Sequence, residues 1–349
     1  MHVELLIPDL IAPGPEAAQG LELPALARLL GRAVKTIGPP AGVDEWLSDA
    51  AGLRTLLGEG VPTPSAALSL LGDGGTPGSS GWLRADPVHL HTDRDQLLLD
   101  ALPAASLSDD DTAQFLAALN AHFAADGIKF SASHARTWYV ETAEPPAASF
   151  TPLSEAAGNS ADRMRPQGRD AMAWQRIGNE IQMLLHEHPV NEARKARGEL
   201  PINSVWFWGA GALPRPAELR YRQIWSDDPV ARGIAILGGA RAAGTPESAA
   251  QWLDRDTGSR GEGRYLVTLG ALREAVREQG LAAWRAALED CERDWFAPLT
   301  EALRRDRIGM LTIHALAPHR TLSAEIIRGD LIKFWRRAKP LAAYSRVES

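Results

Sequence analysis

The densest run of chemically capable side chains is His188-Pro-Val-Asn-Glu-Ala-Arg-Lys-Ala-Arg-Gly-Glu-Leu-Pro-Ile-Asn-Ser-Val-Trp-Phe-Trp-Gly-Ala-Gly. It places one imidazole, two amides (Asn191, Asn203) and the guanidinium of Arg194 ahead of a short aromatic strand that ends in glycine. Amide and guanidinium groups are the donors that hold a phosphate or carboxylate, the guanidinium by a planar two-pronged fork. Glycine after a strand lets a backbone come close to a ligand. A capped helix end followed by an ordinary strand explains the same residues, and the chemistry alone leaves both readings open.

Fewer residues elsewhere invite chemistry. Ser65 opens a helical pattern after Pro64, where it or Thr63 could serve as a cap. Asp9 sits at the tip of the apolar run Val3–Ile7. His89 with His91, and His186 with His188, form close pairs, but structural zinc wants about four ligands, so surface or hydrogen-bonded imidazoles are the expected reading. The single cysteine, Cys291, lies in a helical pattern with no nearby histidine. It excludes a disulfide within the chain and reads as an inert structural thiol.

The elements that must position these groups alternate. Val3–Ile7, 82–90, 135–141, Ser204–Trp208, Gly233–Leu237, Tyr265–Leu269 and Ile308–His314 read as strands. Leu23–Ala33 reads as a helix with Pro24 in its first turn. Ser108–Ala125 reads as a helix capped by Ser108, with Asp109, Asp110 and Asp111 favourably placed on its dipole. Asp170–Leu185 is amphipathic, and Leu281–Arg305 reads as one long helix or two. Strands alternating with helices, without hairpin signals, imply an α/β fold with a mostly parallel sheet flanked by helices. The Gly/Ser/Pro stretch Gly72–Gly81 marks a boundary.

With 349 residues the chain is long enough for two domains, and 45% hydrophobic with 23% charged residues is an ordinary globular balance. A net charge of -7 offers no basic excess for a phosphate backbone, so no nucleic-acid partner is expected. The N-terminus lacks a positively charged leader pattern, and no run approaches the ~20 apolar residues of a membrane span. A cytoplasmic protein without a membrane partner is the expectation.

The run from His188 to Gly211 resembles a motif of the archaeal-type cofactor-independent phosphoglycerate mutases, H-P-V-N-x-x-R, then G, then A-N-x-I-W-L-W-G-x-G. His188, Pro189, Val190, Asn191, Arg194, Gly198, Asn203, Trp206, Trp208, Gly209 and Gly211 fall in register with it. Fainter matches lie at Leu23-Pro-Ala-Leu-Ala-Arg-Leu-Leu-Gly, at Pro62-Thr-Pro-Ser-Ala-Ala-Leu and at Trp82-Leu-Arg-Ala-Asp-Pro-Val. The divergent bacterial Rpf-cluster regulatory protein E (RpfE-like) group is the branch it resembles most. The resemblance implies an alkaline-phosphatase-like core from residues 1–78 and 200–349, with 82–195 inserted as a smaller α+β substrate or cap domain. It implies a catalytic role for Ser65, which matches the family's phosphoryl-carrying serine, and a substrate contact for Arg84. With these, His188, Asn191, Arg194 and Asn203 would line a site for a small phosphorylated or carboxylate ligand.

The family holds two divalent metals, manganese or zinc, and here the pattern departs. Asp9 can stand for the first ligand, but Leu10 replaces the glycine after it. The D-x-x-x-H expected after Tyr265–Leu269 is absent, Ile313 stands where an acid should precede His314, and His319 has no carboxylate beside it. Ala66 follows Ser65 where the family has aspartate, and Asp86 replaces the asparagine after Arg84. Asp9, His314 and His319 are the weak metal candidates that remain, so no cofactor is expected, with manganese or zinc only if the site survives. The resulting expectation is a repurposed, non-catalytic ligand-binding or regulatory protein. The alternatives are an active metal-dependent mutase or phosphatase using Ser65, or a ligand-free interaction scaffold.

Overall fold

The structure is a computed structural model that describes residues 1–11, 16–94, 96–102, 107–254 and 262–345. Its strands in chain order are β1 (His2–Pro8), β2 (Val34–Gly38), β3 (Gly81–Asp93), β4 (Gln96–Ala101), β5 (Lys129–His134), β6 (Thr137–Thr142), β7 (Ala148–Ser149), β8 (Gln167–Gly168), β9 (Ser204–Ala212), β10 (Tyr221–Trp225), β11 (Arg241–Ala243), β12 (Arg264–Thr268), β13 (Met310–Ala317) and β14 (Arg320–Ile327). The chain divides into two compact units, Met1–Leu53 with Pro216–Ser349, and Arg54–Arg215.

The first unit is built on a seven-stranded sheet of order β11-β10-β12-β1-β13-β14-β2. β11 to β13 run parallel, and β14 and β2 close the sheet antiparallel. The central strand β1 carries Val3, Leu5 and Ile7 into a core shared with Leu26, Leu29, Trp284, Phe296 and Leu299. The Pro24–Arg32 helix has Pro at its start and no side-chain cap of its own. Glu292, in a π-turn between the Leu281–Cys291 and Ala297–Arg304 helices, supplies the acceptor: its carboxylate takes the N–H of Ala25 at 2.6 Å and of Leu26 at 3.0 Å. A carboxylate on a helix N-terminus satisfies donors that have no partner within the helix and complements the dipole. The Leu281–Arg305 stretch is thus one continuous helical rod with a wide turn that aims this acid.

The second unit is α+β. β4-β3-β6-β5 form an antiparallel sheet, with β9 antiparallel on β3. The Asp109–Phe123 and Ala171–His186 helices pack Phe115, Leu119, Trp174, Ile181 and Leu185 onto it. Ser108 Oγ accepts the N–H of Asp111 at 3.1 Å, the cap read from sequence.

The compact units change over at 53/54 and 215/216. Two expectations are corrected. Ser204–Trp208, expected in one sheet with Val3–Ile7, pairs instead with β3 over its whole length, so the two strands lie in different sheets. Gly233–Leu237 is not a strand but the end of a helix, Pro229–Leu237, started by Asp228, whose carboxylate accepts the N–H of Val230 at 2.7 Å. A short apolar run is ambiguous between the two states, and the Asp-Pro start decides for helix. Hairpins also occur without the usual turn dipeptides: β5–β6 and β13–β14 are antiparallel neighbours.

Candidate functional site

Ser65 and Arg84 belong to one neighbourhood, the Ser65–Gly72 helix laid on β3 and β9. Gly209 and Gly211 explain the close approach. A Cβ on Gly209, whose φ is +65°, would lie 3.0 Å from Ser65 Cβ and 3.1 Å from Ala66 N; one on Gly211 would lie 2.5 Å from Pro64 Cβ. The glycines that read as room for a ligand make room for this helix start. Ser65 is the first helical residue, 4% exposed, and its hydroxyl lies 3.4 Å from the carbonyl oxygen of Thr63.

Arg84 is directly opposite Tyr139 on β6 and Trp208 on β9. Its guanidinium carbon lies 5.2 Å from the Tyr139 ring centre and 5.1 Å from the Trp208 ring centre, stacked between two aromatic walls. Nε and Nη2 donate to Asp86 Oδ1 at 3.1 and 2.5 Å, and Nη1 donates to Ser69 Oγ at 3.1 Å. Trp208 Nε1–H donates to the other Asp86 oxygen at 2.7 Å. The Tyr139 hydroxyl donates to Asp73 Oδ2 at 3.0 Å and meets Ser69 Oγ at 2.7 Å. Burial opposes the Arg84 charge, but Asp86, with Tyr139 and Asp73, outweighs it and raises the pKa; burial pushes the Tyr139 phenol up to about 12. Asp86 thus supplies the counter-charge of the buried Arg84 from the same strand.

The other motif residues hold the second unit together. His188 caps the Pro189–Ala196 helix, accepting the Val190 N–H at Nδ1 (3.3 Å), and packs 4.7 Å from the Phe115 ring; burial lowers its pKa. Asn191 Nδ2 donates to the carbonyls of Leu185 and Ile202 (2.7 and 2.8 Å), and Oδ1 accepts the Ile202 N–H at 2.8 Å. Arg194 is 0% exposed; Nε donates to Leu200 O at 3.0 Å, and Nη1 lies 3.2 Å from Glu199 and 3.5 Å from Asp111. Asn203 pairs through both amide atoms with the backbone of Leu90, each at 2.7 Å. The polar atoms of Asn191, Arg194 and Asn203 thus meet backbone groups and, for Arg194, internal carboxylates, while Asn203 also lines a cavity with Leu90, Leu97, Met183 and His186.

In the first unit Asp9 ends β1 with φ +59°. Its backbone is fixed by its N–H to Leu316 O (3.2 Å) and by Trp284 Nε1–H on its carbonyl (2.8 Å). Its carboxylate faces Arg273, with Nε 3.3 Å from Oδ2. His314 Nδ1 meets Ser323 Oγ at 2.8 Å, and Nε2 meets Glu4 at 3.3 Å. His319 stands in the turn between β13 and β14. Among the described residues no three His, Cys, Asp or Glu side chains gather to hold a metal ion. Two adjacent divalent cations need several carboxylates and imidazoles. Here the first candidate acid faces a guanidinium and the candidate imidazole is bonded on both nitrogens, so the residues present do not fit a two-metal centre.

Glu4 is the buried charge that the sequence reading passed over. It is 1% exposed, receives Arg264 Nε at 2.6 Å and the Tyr221 hydroxyl at 2.8 Å, and touches His314. Burial favours its neutral form, but the bonds from His314 and Tyr221 and the charge of Arg264 hold its pKa down at about 2. An acid inside an apolar strand was the available signal, since a buried charge must be paired. Cys291 is buried, and burial pushes its thiol up to about 12.

No family model matches the chain. A probable 2,3-bisphosphoglycerate-independent phosphoglycerate mutase of Geobacter sulfurreducens is 24% identical over 198 residues, 54% of this chain and 48% of that protein. The corresponding mutase of Methanothrix thermoacetophila is 31% identical over 103 residues, 28% of this chain and 26% of that one. The matched stretch thus spans about half the length of the Geobacter relative, or less for the Methanothrix one. Among solved structures, a cofactor-independent phosphoglycerate mutase from Thermoplasma acidophilum superposes with TM-score 0.50 at 15% identity, over 100% of this chain and 95% of that one. A protein from Pyrococcus horikoshii superposes with TM-score 0.58 at 13% identity, over 98% and 92%. The curated relatives are phosphoglycerate mutases, and the α/β fold expected from sequence is the fold of a solved one.

Proposed function

We propose that this chain is a phosphoglycerate-mutase-like protein that performs no phosphoryl transfer and acts as a regulatory or interaction protein, in keeping with an RpfE-like branch. One observation carries the reading: the charged groups that mutase chemistry would use are neutralised from within. Asp9 faces Arg273, Arg84 faces Asp86, and Arg194 faces Glu199 and Asp111. Phosphoryl transfer depends on cations aimed at the transferred group. A guanidinium already bonded to a carboxylate must break that bond before it can serve.

The test is a coupled assay of 2- and 3-phosphoglycerate interconversion, with a phosphatase assay beside it, on full-length protein supplied with manganese or zinc. No turnover above buffer is expected, with Ser65→Ala indistinguishable from the parent. Metal-dependent turnover abolished by Ser65→Ala would establish an active enzyme instead.

A further inference from the structure

The segment after β14 presents large apolar side chains to solvent on a fixed backbone. Ile332, Phe334 and Trp335 are 76%, 80% and 65% exposed. The Phe334 and Trp335 rings touch edge to face with centroids 5.3 Å apart, forming one aromatic knob. The segment has no strand or α-helix, yet its ends are pinned. Asp330 accepts the Ile327 N–H at 3.1 Å and Lys333 Nζ at 2.6 Å. Arg336 Nη1 donates to Arg32 O at 2.7 Å, and a Cβ on Gly31 would lie 2.7 Å from Ala338 Cα, so the backbone is seated on the Pro24–Arg32 helix. Leu341 is buried in the core, and the Tyr344 carbonyl accepts from Arg320.

The knob lies in a basic stretch of the chain. Arg328, Lys333, Arg336, Arg337 and Lys339 lie within twelve residues that contain one acid, Asp330. Lys35, exposed on the edge strand β2, joins them, close enough for Arg336 and Lys339 to act on its charge. Asp330 is shared by Lys333 (2.6 Å) and Arg336 (3.6 Å), and Arg328 lies 3.9 Å from Asp306, while Arg337 and Lys339 are exposed. This local excess stands on a chain of net charge -7.

We propose that this segment docks the protein peripherally on an anionic lipid surface, with Ile332, Phe334 and Trp335 entering the interface and the surrounding cations meeting headgroup phosphates. The side chains protrude rather than line a groove, which suits a deformable surface. Tryptophan and phenylalanine beside lysine and arginine are the residues that partition to a membrane interface, and basic clusters are drawn to anionic lipid. This revises the expectation of no membrane partner, which rested on the lack of a spanning segment. It concerns the first unit and does not depend on the proposed function above.

The experiment is co-sedimentation of the full chain with vesicles of phosphatidylcholine, with and without phosphatidylserine, across a salt series. Pelleting with phosphatidylserine alone, weakening with salt, is expected. Phe334→Ala/Trp335→Ala should weaken it about tenfold or more, the scale of losing one or two buried aromatic side chains. Arg337→Glu/Lys339→Glu should weaken it as strongly, and Met172→Ser, an exposed apolar residue of the second unit, should not. All four residues in the two double variants are exposed, and circular dichroism checks that the variants fold. No pelleting at low salt would overturn the proposal. Loss in the charge variant with none in the aromatic variant would mark a site for polyanions such as an acidic protein. A dimer that the aromatic variant dissociates, without vesicle binding, would assign the knob to a second copy of the chain.

Discussion

Asp86→Ala is expected to destabilise the second unit by about 3–5 kcal/mol, the cost of removing one partner from a buried ion pair and leaving the other charge unpaired. Arg84 is 8% exposed, its guanidinium stacked between Tyr139 and Trp208, and the substitution also removes the acceptor of Trp208 Nε1–H. The double variant Arg84→Met/Asp86→Leu removes both charges and should recover most of the loss, because apolar residues of similar volume commonly replace a buried pair at little cost. Urea unfolding followed by tryptophan fluorescence reads both. If Arg84 were instead an anion receptor, Asp86→Ala would free it and phosphoglycerate affinity would rise with little change in stability.

Acid is expected to weaken the first unit through Glu4. Its pKa is held at about 2, below the ordinary 4.5, so the folded state prefers the carboxylate. The contribution is therefore complete above 4.5 and is lost as pH falls from there towards about 2. The difference corresponds to a loss on the order of 3 kcal/mol at 1.36 kcal/mol per pKa unit. His2, whose pKa burial lowers, acts in the same direction from a higher pH. In Glu4→Gln the urea midpoint should be lower at neutral pH and much flatter through the acid range. An acid limb identical to that of the parent would mean that other carboxylates carry the effect.

Much of the fold was legible because local chemistry and global structure agree. The apolar run of β1, Pro24 at the first helical turn and the Ser108 cap with three acids behind it all lie where the pattern puts them. The site was legible in residue type but not in partnership. Arg194 has the chemistry of an anion donor in the sequence, but its counter-charges include Asp111, 83 positions away, which only the tertiary fold brings near. Asp86 was closer to hand: two residues along a strand lie on the same face, so an Arg-x-Asp in β3 is a self-pairing signal. Gly209 and Gly211 marked a close approach correctly, but what approaches is the protein's own Pro64–Ala66 helix start. The pairing of β9 with β3 is not legible in the sequence, because apolar alternation fixes a strand without naming its neighbour.

The most direct measurement is the metal content of the full chain after incubation with excess manganese or zinc and gel filtration, by elemental analysis, alongside Asp9→Ala. With Asp9 turned to Arg273 and His314 bonded to Ser323 and Glu4, no stoichiometric metal should be retained by either protein. Two equivalents of metal held by the parent and lost in Asp9→Ala would contradict the account.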